Sequence, residues 1–209
     1  MIKVIDNFVN SAYYEGIEEN VLANPSFPWG FFCKNRIDNI VDAGTDTTSR
    51  LFGFSHTIFD AGKTTSPFYE FLLPLILQAK AEIGARVLLR ARADMTVISG
   101  DQLTYKPHID MPGHKEHVNM LLYVGDSDGD TIIYKDKYFP SASLASLQLP
   151  FVEPKLLETL TEEQRITPKA NRLVIFSGEH WHTRQSPKEY NRRVLLNLNF
   201  AKDDYRTKD

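Results

Sequence analysis

The chain has 209 residues, 42% of them apolar, and a formal charge of −3. That is enough apolar material for a sizeable core, so a single decorated domain over 1–209 is expected, and two compact domains would be cramped. With a pI near 6.1 the chain has no overall cationic field, which argues against a general nucleic-acid or anionic-membrane binder and leaves small molecules or protein side chains as partners.

Cys33 is the only cysteine, which excludes an internal disulfide framework or a thiolate zinc site and suits a reducing interior. The opening Met-Ile-Lys-Val-Ile-Asp-Asn-Phe lacks the basic-then-apolar order of an export signal. The longest apolar run, Phe71 to Leu77, is broken by Pro74 and is far short of the roughly 20 residues a membrane span requires. A cytoplasmic protein with no membrane partner is expected.

In chain order, residues 2–9 read as a strand, and Asn10 or Ser11 can cap a helix to about Leu22 with Tyr14, Ile17 and Val21 on one side. Ser66 and Pro67 start a second helix whose stripe includes Phe68, Phe71, Leu72, Leu75, Ile76, Ala79 and Ile83. Pro74 should kink it and Gly84 should end it. These elements make 1–85 a support region.

From 86 to 201 the pattern changes to short apolar or alternating runs at 87–98, 103–109, 117–124, 130–135, 172–177 and 193–200, separated by explicit turns such as Ser99-Gly100-Asp101. Antiparallel strands in a sandwich or barrel are predicted. Residues 136–165, with Pro140, Pro150 and Pro154, form a long insertion that reads as a lid, a partner contact or a disordered segment. Leu156 to Arg165 is expected to hold a helical turn or two, capped by Thr161 with Gln164 at the capping-box spacing.

His108-Ile109-Asp110 carries the chemistry. In an extended strand the side chains at i and i+2 leave the same face, so this imidazole and carboxylate converge. His182 follows 74 residues after His108, with Arg192 ten residues later. Two imidazoles and a carboxylate on one face of an octahedral ion leave positions open for a co-substrate and O2. An inward Arg alongside them needs a buried anion, for which a carboxylate is a bidentate partner. In the last strand Arg192 shares the parity of Val194, Leu196, Leu198 and Phe200, which places it inward and Arg193 toward solvent.

The set also includes Tyr105 and Pro107 before the motif, a strand ending in Tyr123-Val124-Gly125, a Gly129-Asp130 turn and the apolar Leu173–Phe176 run. Over about residues 86–201 the chain resembles the iron(II)/2-oxoglutarate-dependent dioxygenases, in particular the prolyl-4-hydroxylase-like branch with its many phage and marine microbial members. The resemblance implies a mainly β fold with flanking helices around a double-stranded β-helix, or jelly-roll, core. It also implies Fe(II) and 2-oxoglutarate as cofactors, and hydroxylation of an unactivated C–H bond, such as that of a prolyl or other protein side chain, with O2.

Carried over by position, His108, Asp110 and His182 resemble the metal ligands. His180 is the rival of His182, and the spacing to Arg192 favours His182. Arg192 and Tyr123 resemble the groups that hold the far carboxylate of 2-oxoglutarate, with Asn119 and Leu121 on the Tyr123 face. A family tyrosine upstream of the first His has no match, because Val97 and Ile98 stand there. Tyr105, Trp181 and Arg184 are candidate substrate contacts. His114 and His117 are expected to be exposed, His56 structural, and Arg90, Arg92 and Asp94 a solvated face. Two other readings stay open at this point: a cupin-like metalloprotein without 2-oxoglutarate, on His108, Asp110, His114 or His182, and a non-catalytic jelly-roll binding protein.

Overall fold

The structure is a computed structural model that describes residues 2–31, 53–85, 87–114, 116–138 and 159–201. Cys33 and the central part of the 136–165 insertion, with its three prolines, lie outside the described residues.

The first helix, α1 (Ser11–Ile17), begins where predicted because Asn10 Oδ1 accepts from the Tyr13 amide at 2.9 Å. It continues as a π-helical turn through Leu22, and Tyr14, Ile17 and Val21 are buried. In α2 (Phe68–Ile83), the Ser66 hydroxyl accepts from the Phe68 amide, and Gly84 closes the helix in the left-handed region at φ 61°. Pro74 stays inside α2. Beside it the Tyr13 hydroxyl inserts into the helix ladder, donating to Phe71 O at 2.8 Å and accepting from the Leu75 amide at 3.4 Å. A side chain of α1 thus supports the helix beside its proline.

Eleven strands are described: β1 (Ile2–Ile5), β2 (Gly30–Phe31), β3 (Gly53–Asp60), β4 (Lys63–Thr64), β5 (Val87–Val97), β6 (His117–Tyr123), β7 (Thr131–Lys137), β8 (Glu162–Ile166), β9 (Leu173–Ser177), β10 (His180–Arg184) and β11 (Arg192–Ala201). The large sheet runs β1-β9-β6-β11-β5-β3-β2, with β4 paired to β3, and the small sheet runs β10-β7-β8. Every pairing between them is antiparallel.

The large sheet has two apolar faces, and this decides where the site lies. Val194, Leu196, Leu198 and Phe200 of β11 pack with Ala91 and Ala93 of β5 against α1 and α2. The opposite face meets the small sheet through Leu121, Tyr123, Val174, Phe176 and Leu195 on one side and Ile133 and Ile166 on the other. The result is the expected jelly-roll architecture, with helices flanking one face and the functional space between the sheets. Asn171, at φ 57°, ties the N-terminal segment to this body by exchanging side-chain bonds with both the amide and the carbonyl of Val9 at 3.0 and 2.7 Å.

Two local expectations need correction, and one strand is unannounced by the sequence. Residues 103–109 do not form a continuous strand and make only the isolated bridges Thr104–Gln185 and His108–His182. Glu162–Ile166 is not helical: it is β8 on the edge of the small sheet, and the Thr161 amide donates to Asp136 rather than entering a capping box. β10 is a strand with no apolar alternation to announce it, because its sequence is His-Trp-His-Thr-Arg. Among the described residues no helix is long and apolar enough to cross a membrane.

Candidate active site

The site is built where the His108 segment runs beside β10. The His108 amide donates to His182 O at 2.9 Å, and the His182 amide donates back to His108 O at 3.2 Å. This pairing sets the two rings 4.5 Å apart, and Asp110 joins them from the next same-face position. His108 Nε2 lies 3.8 Å from one Asp110 oxygen and His182 Nε2 lies 3.6 Å from the other. One ligating atom from each of the three residues falls within 4.8 Å of the other two.

Backbone carbonyls orient both rings. Lys106 O lies 3.4 Å from His108 Nδ1 and His180 O lies 3.2 Å from His182 Nδ1, so a proton held at Nδ1 leaves Nε2 as the donor atom toward the cluster. Burial, reinforced by the neighbouring His182, lowers the His108 pKa to about 3, so its imidazole is neutral at ordinary pH. Burial alone would raise the Asp110 pKa, but Arg90 and the two histidines hold it well below the usual carboxylate range. Arg90 Nη2 donates to Asp110 at 2.9 Å, and Asn197 and Asn199 donate at 3.1 and 3.2 Å. The cluster therefore offers two imidazoles and an anchored carboxylate, a donor set that fits a divalent metal such as Fe(II).

His180 is not in this group. A register irregularity separates it from His182, and its Nδ1 sits 2.7 Å from Tyr134 O. Arg192 is a correction: it is exposed at the start of β11, whereas Arg193, expected in solvent, is only 2% exposed. Arg192 shares the parity of Val194, Leu196, Leu198 and Phe200, but that face packs on the helices, not on the space between the sheets.

Arg193 donates through Nη2 to Thr131 Oγ1 at 2.6 Å, its guanidinium lies 5.4 Å from the Tyr123 ring centre, and the Tyr123 hydroxyl meets the same Thr131 oxygen at 2.6 Å. Arg193 Nε is buried with no hydrogen-bond partner among the described residues. A buried cation that lines a cavity and keeps an unused donor fits a carboxylate ligand such as the far end of 2-oxoglutarate.

The cavity between the sheets joins the two groups and is lined by His108 and His182 at one end and by Thr131, Arg184 and Arg193 at the other. Arg92 and Asp94, expected on a solvated face, line it too and form an ion pair at 2.8 Å; Arg90 is the partner of Asp110. Asn119 is fully buried at the metal end, accepting from Asn199 Nδ2 at 2.9 Å, and so lies behind Asp110 rather than beside Arg193. Tyr105 lies beneath the Arg184 guanidinium, 4.0 Å from ring centre to carbon. Trp181 packs with Ile109 and Tyr138 and is not among the residues that line this cavity.

His117, expected to be exposed, is 2% exposed at the start of β6, while His114 is half-buried. His56 is structural, bonded to Ser66 at 2.7 Å. Of the site residues that the motif spacing does not reveal, Arg90, Asn197 and Asn199 carry one usable signal, because they alternate with small or apolar residues in strands too apolar on the other face to be a rim. Thr131, before Ile132 and Ile133, and Arg193, after Arg192, carry no such signal.

A two-sheet β-helix holding two histidines and an aspartate beside a buried arginine defines the class of non-haem iron oxygenases that use an acidic co-substrate. The 2OG-Fe(II) oxygenase superfamily matches residues 94–201, and the chain belongs to it. It is an Fe(II)- and 2-oxoglutarate-dependent oxygenase. This sets aside the cupin-like and non-catalytic alternatives.

A search among curated protein sequences gives no match. Among solved structures, the chain is similar to a prolyl hydroxylase from Trichoplax adhaerens in complex with a hypoxia inducible factor oxygen degradation domain peptide fragment, at 16% identity and a TM-score of 0.58, covering 96% of this chain and 83% of that one. It is similar to a Pseudomonas putida prolyl-4-hydroxylase at 12% identity and a TM-score of 0.52, covering 97% and 92%. HygX from Streptomyces hygroscopicus, solved with nickel and 2-oxoglutarate, is 12% identical with a TM-score of 0.55, covering 96% and 82%.

Proposed function

We propose that His108, Asp110 and His182 hold the iron, that Arg193 with Thr131 and Tyr123 holds the far carboxylate of 2-oxoglutarate, and that the enzyme hydroxylates a prolyl or other protein side chain. The observation that carries the site assignment is the convergence of three ligating atoms within 4.8 Å at one end of a cavity whose other end holds a buried arginine with an unused donor. Likeness in fold to two prolyl hydroxylases, one of them in complex with a peptide, supports the choice of substrate class.

Bound Fe(II), with 2-oxoglutarate and O2, supplies the oxidation that places an oxygen atom in a C–H bond and leaves succinate and CO2. The chain's own residues do the positioning. Asp110 stays ionised because Arg90 neutralises it, and the Asn197 and Asn199 amides fix its oxygens. Arg193 orients the co-substrate through a charge-assisted contact, and the Tyr123–Thr131 hydroxyl pair keeps its guanidinium in place. Leu121, Leu195 and Thr183 fill out the wall between the two ends and limit stray water.

A screen of peptides and small molecules for stimulated succinate formation tests this reading, with product mass as the readout. A proline-containing peptide that gains the mass of one oxygen atom supports it. Stimulation by free metabolites alone contradicts the substrate class.

A further inference from the structure

The buried end of the cavity has more positive charge than one co-substrate carboxylate accounts for through Arg193 alone. Each carboxylate in the neighbourhood already has its own arginine: Arg90 on Asp110 at 2.9 Å and Arg92 on Asp94 at 2.8 Å. Two guanidiniums then line the cavity with no carboxylate partner among the described residues, Arg193 from the large sheet and Arg184 from the small one.

These two arginines belong to a closed figure of four residues that spans both sheets. Arg184 is the cross-strand partner of Thr131 in the small sheet, and Arg193 is the cross-strand partner of Thr96 in the large sheet. Each arginine reaches across to the threonine of the other sheet: Arg193 Nη2 donates to Thr131 Oγ1 at 2.6 Å and Arg184 Nε donates to Thr96 Oγ1 at 3.2 Å. Stacking on Tyr105 at 4.0 Å and the Nε bond to Thr96 hold the Arg184 guanidinium in position. Arg184 is the next same-face residue after His182, so it faces the same cavity one step further along β10.

We propose that Arg184 and Arg193 together form a two-arginine clamp on the far carboxylate of 2-oxoglutarate, which makes Arg184 a determinant of co-substrate affinity and specificity rather than a contact for the substrate undergoing oxidation. The inference rests on the placing of 2-oxoglutarate against Arg193. Two like charges facing one cavity repel, and an anion between them turns that repulsion into two attractions. Burial lowers the Arg193 pKa; Tyr123 opposes this and the Arg184 charge adds to it, which is the signature of two cations that share a space. A single carboxylate has two oxygens and four lone-pair sites, enough for a bidentate partner on one side and a second guanidinium on the other.

The test is equilibrium binding of 2-oxoglutarate to the full chain loaded with Mn(II), with no oxidisable substrate present. The comparison ligand is 2-oxopentanoate, which keeps the metal-binding end and has a methyl group in place of the far carboxylate. Arg184→Met is expected to weaken 2-oxoglutarate roughly 10- to 100-fold and 2-oxopentanoate by less than about twofold, with Arg184→Lys recovering part of the loss. If Arg184→Met leaves 2-oxoglutarate binding unchanged while Arg193→Met weakens it, the clamp is refuted and the placing of the co-substrate stands. If neither variant changes it, that placing falls as well. Equal weakening of both ligands by Arg184→Met means that Arg184 only shapes the pocket, and also overturns the proposal. Should Arg184→Met not fold, Arg184→Gln, which keeps a donor for Thr96, is read in the same way.

Discussion

His108 and His182 hold each other through their backbones in both directions, each amide donating to the other's carbonyl at 2.9 and 3.2 Å. Residues 74 positions apart in the chain are thereby fixed in register, and their rings are brought together by the strand pairing itself. The site is organised by the fold, and a metal would complete it rather than assemble it.

That burial has a consequence for pH. Burial, together with the His182 ring, moves the His108 pKa from 6.5 down to about 3. Between those values the unfolded chain binds a proton that the folded chain does not, so the His108 contribution to stability is full above 6.5 and is lost as pH falls toward 3. Asp110, held well below 3.8 by Arg90 and the histidines against burial, contributes above 3.8 and loses that contribution as pH falls further, the same sign. The metal-free protein is expected to melt at a lower temperature at about pH 5 than at about pH 7, with a smaller drop in His108→Gln. Part of the drop persists in that variant because burial also lowers His56, His114 and His117. An unchanged drop in thermal scans of His108→Gln contradicts this account of the ring.

Arg192 and Arg193 are adjacent and should behave very differently. Arg193→Gln removes the buried guanidinium and is expected to raise the KM for 2-oxoglutarate roughly 10- to 100-fold. Arg192→Gln, at an exposed strand end, is expected to stay within about twofold of wild type. Steady-state succinate formation at varied 2-oxoglutarate distinguishes them, and the reverse order would restore Arg192 as the co-substrate residue.

Gly178 leaves room for a histidine. A Cβ at this position would come within 2.0 Å of the His117 ring, which is buried in the sheet. Gly178→Ala is expected to cost about 1–3 kcal/mol in urea unfolding, as overpacking does elsewhere. His117→Ala in the same chain should recover part of that loss; no recovery would place the clash somewhere else.

Asn171 joins a special backbone conformation to two buried bonds with Val9. Asn171→Ala is expected to lose about 2–4 kcal/mol, through unsatisfied Val9 groups and a left-handed φ that Ala tolerates poorly. Asn171→Gly keeps the bonds broken but relieves the φ, so it should lose less. Equal losses in chemical denaturation would show that the backbone conformation contributes nothing.

The elements most legible in the sequence are those whose ends carry their own chemistry. Asn10 caps α1, Ser66 caps α2 and Gly84 stops it, and each does so through contacts within a few residues of itself. The strands of the large sheet with strong apolar runs, β6, β9 and β11, also announce themselves. β10 does not, because its five residues include three that line the cavity, and function there replaces the alternation that identifies a strand. β8 is hidden for a different reason: Glu-Glu-Gln-Arg on a sheet edge has no burial pattern to read.

The convergence of His108 with Asp110 is a local property of an extended segment and is visible from spacing alone. The choice between Arg192 and Arg193 is not, because it depends on which of two apolar faces is covered by helices. Val194, Leu196 and Leu198 signal burial correctly but do not say what buries them. The same ambiguity hid Arg90, Arg92 and Asp94, whose alternation with Leu89, Ala91 and Ala93 looks like a solvated face until a second sheet is seen to stand over it.

The most direct test of the central claim is the stoichiometry of Co(II) binding under anaerobic conditions, followed by absorption. Wild type and His180→Ala are expected to bind one ion per chain with the same spectrum, while Asp110→Ala and His182→Ala lose it. Retention of the site in His182→Ala, or its loss in His180→Ala, would contradict the assignment of His108, Asp110 and His182 as the metal ligands.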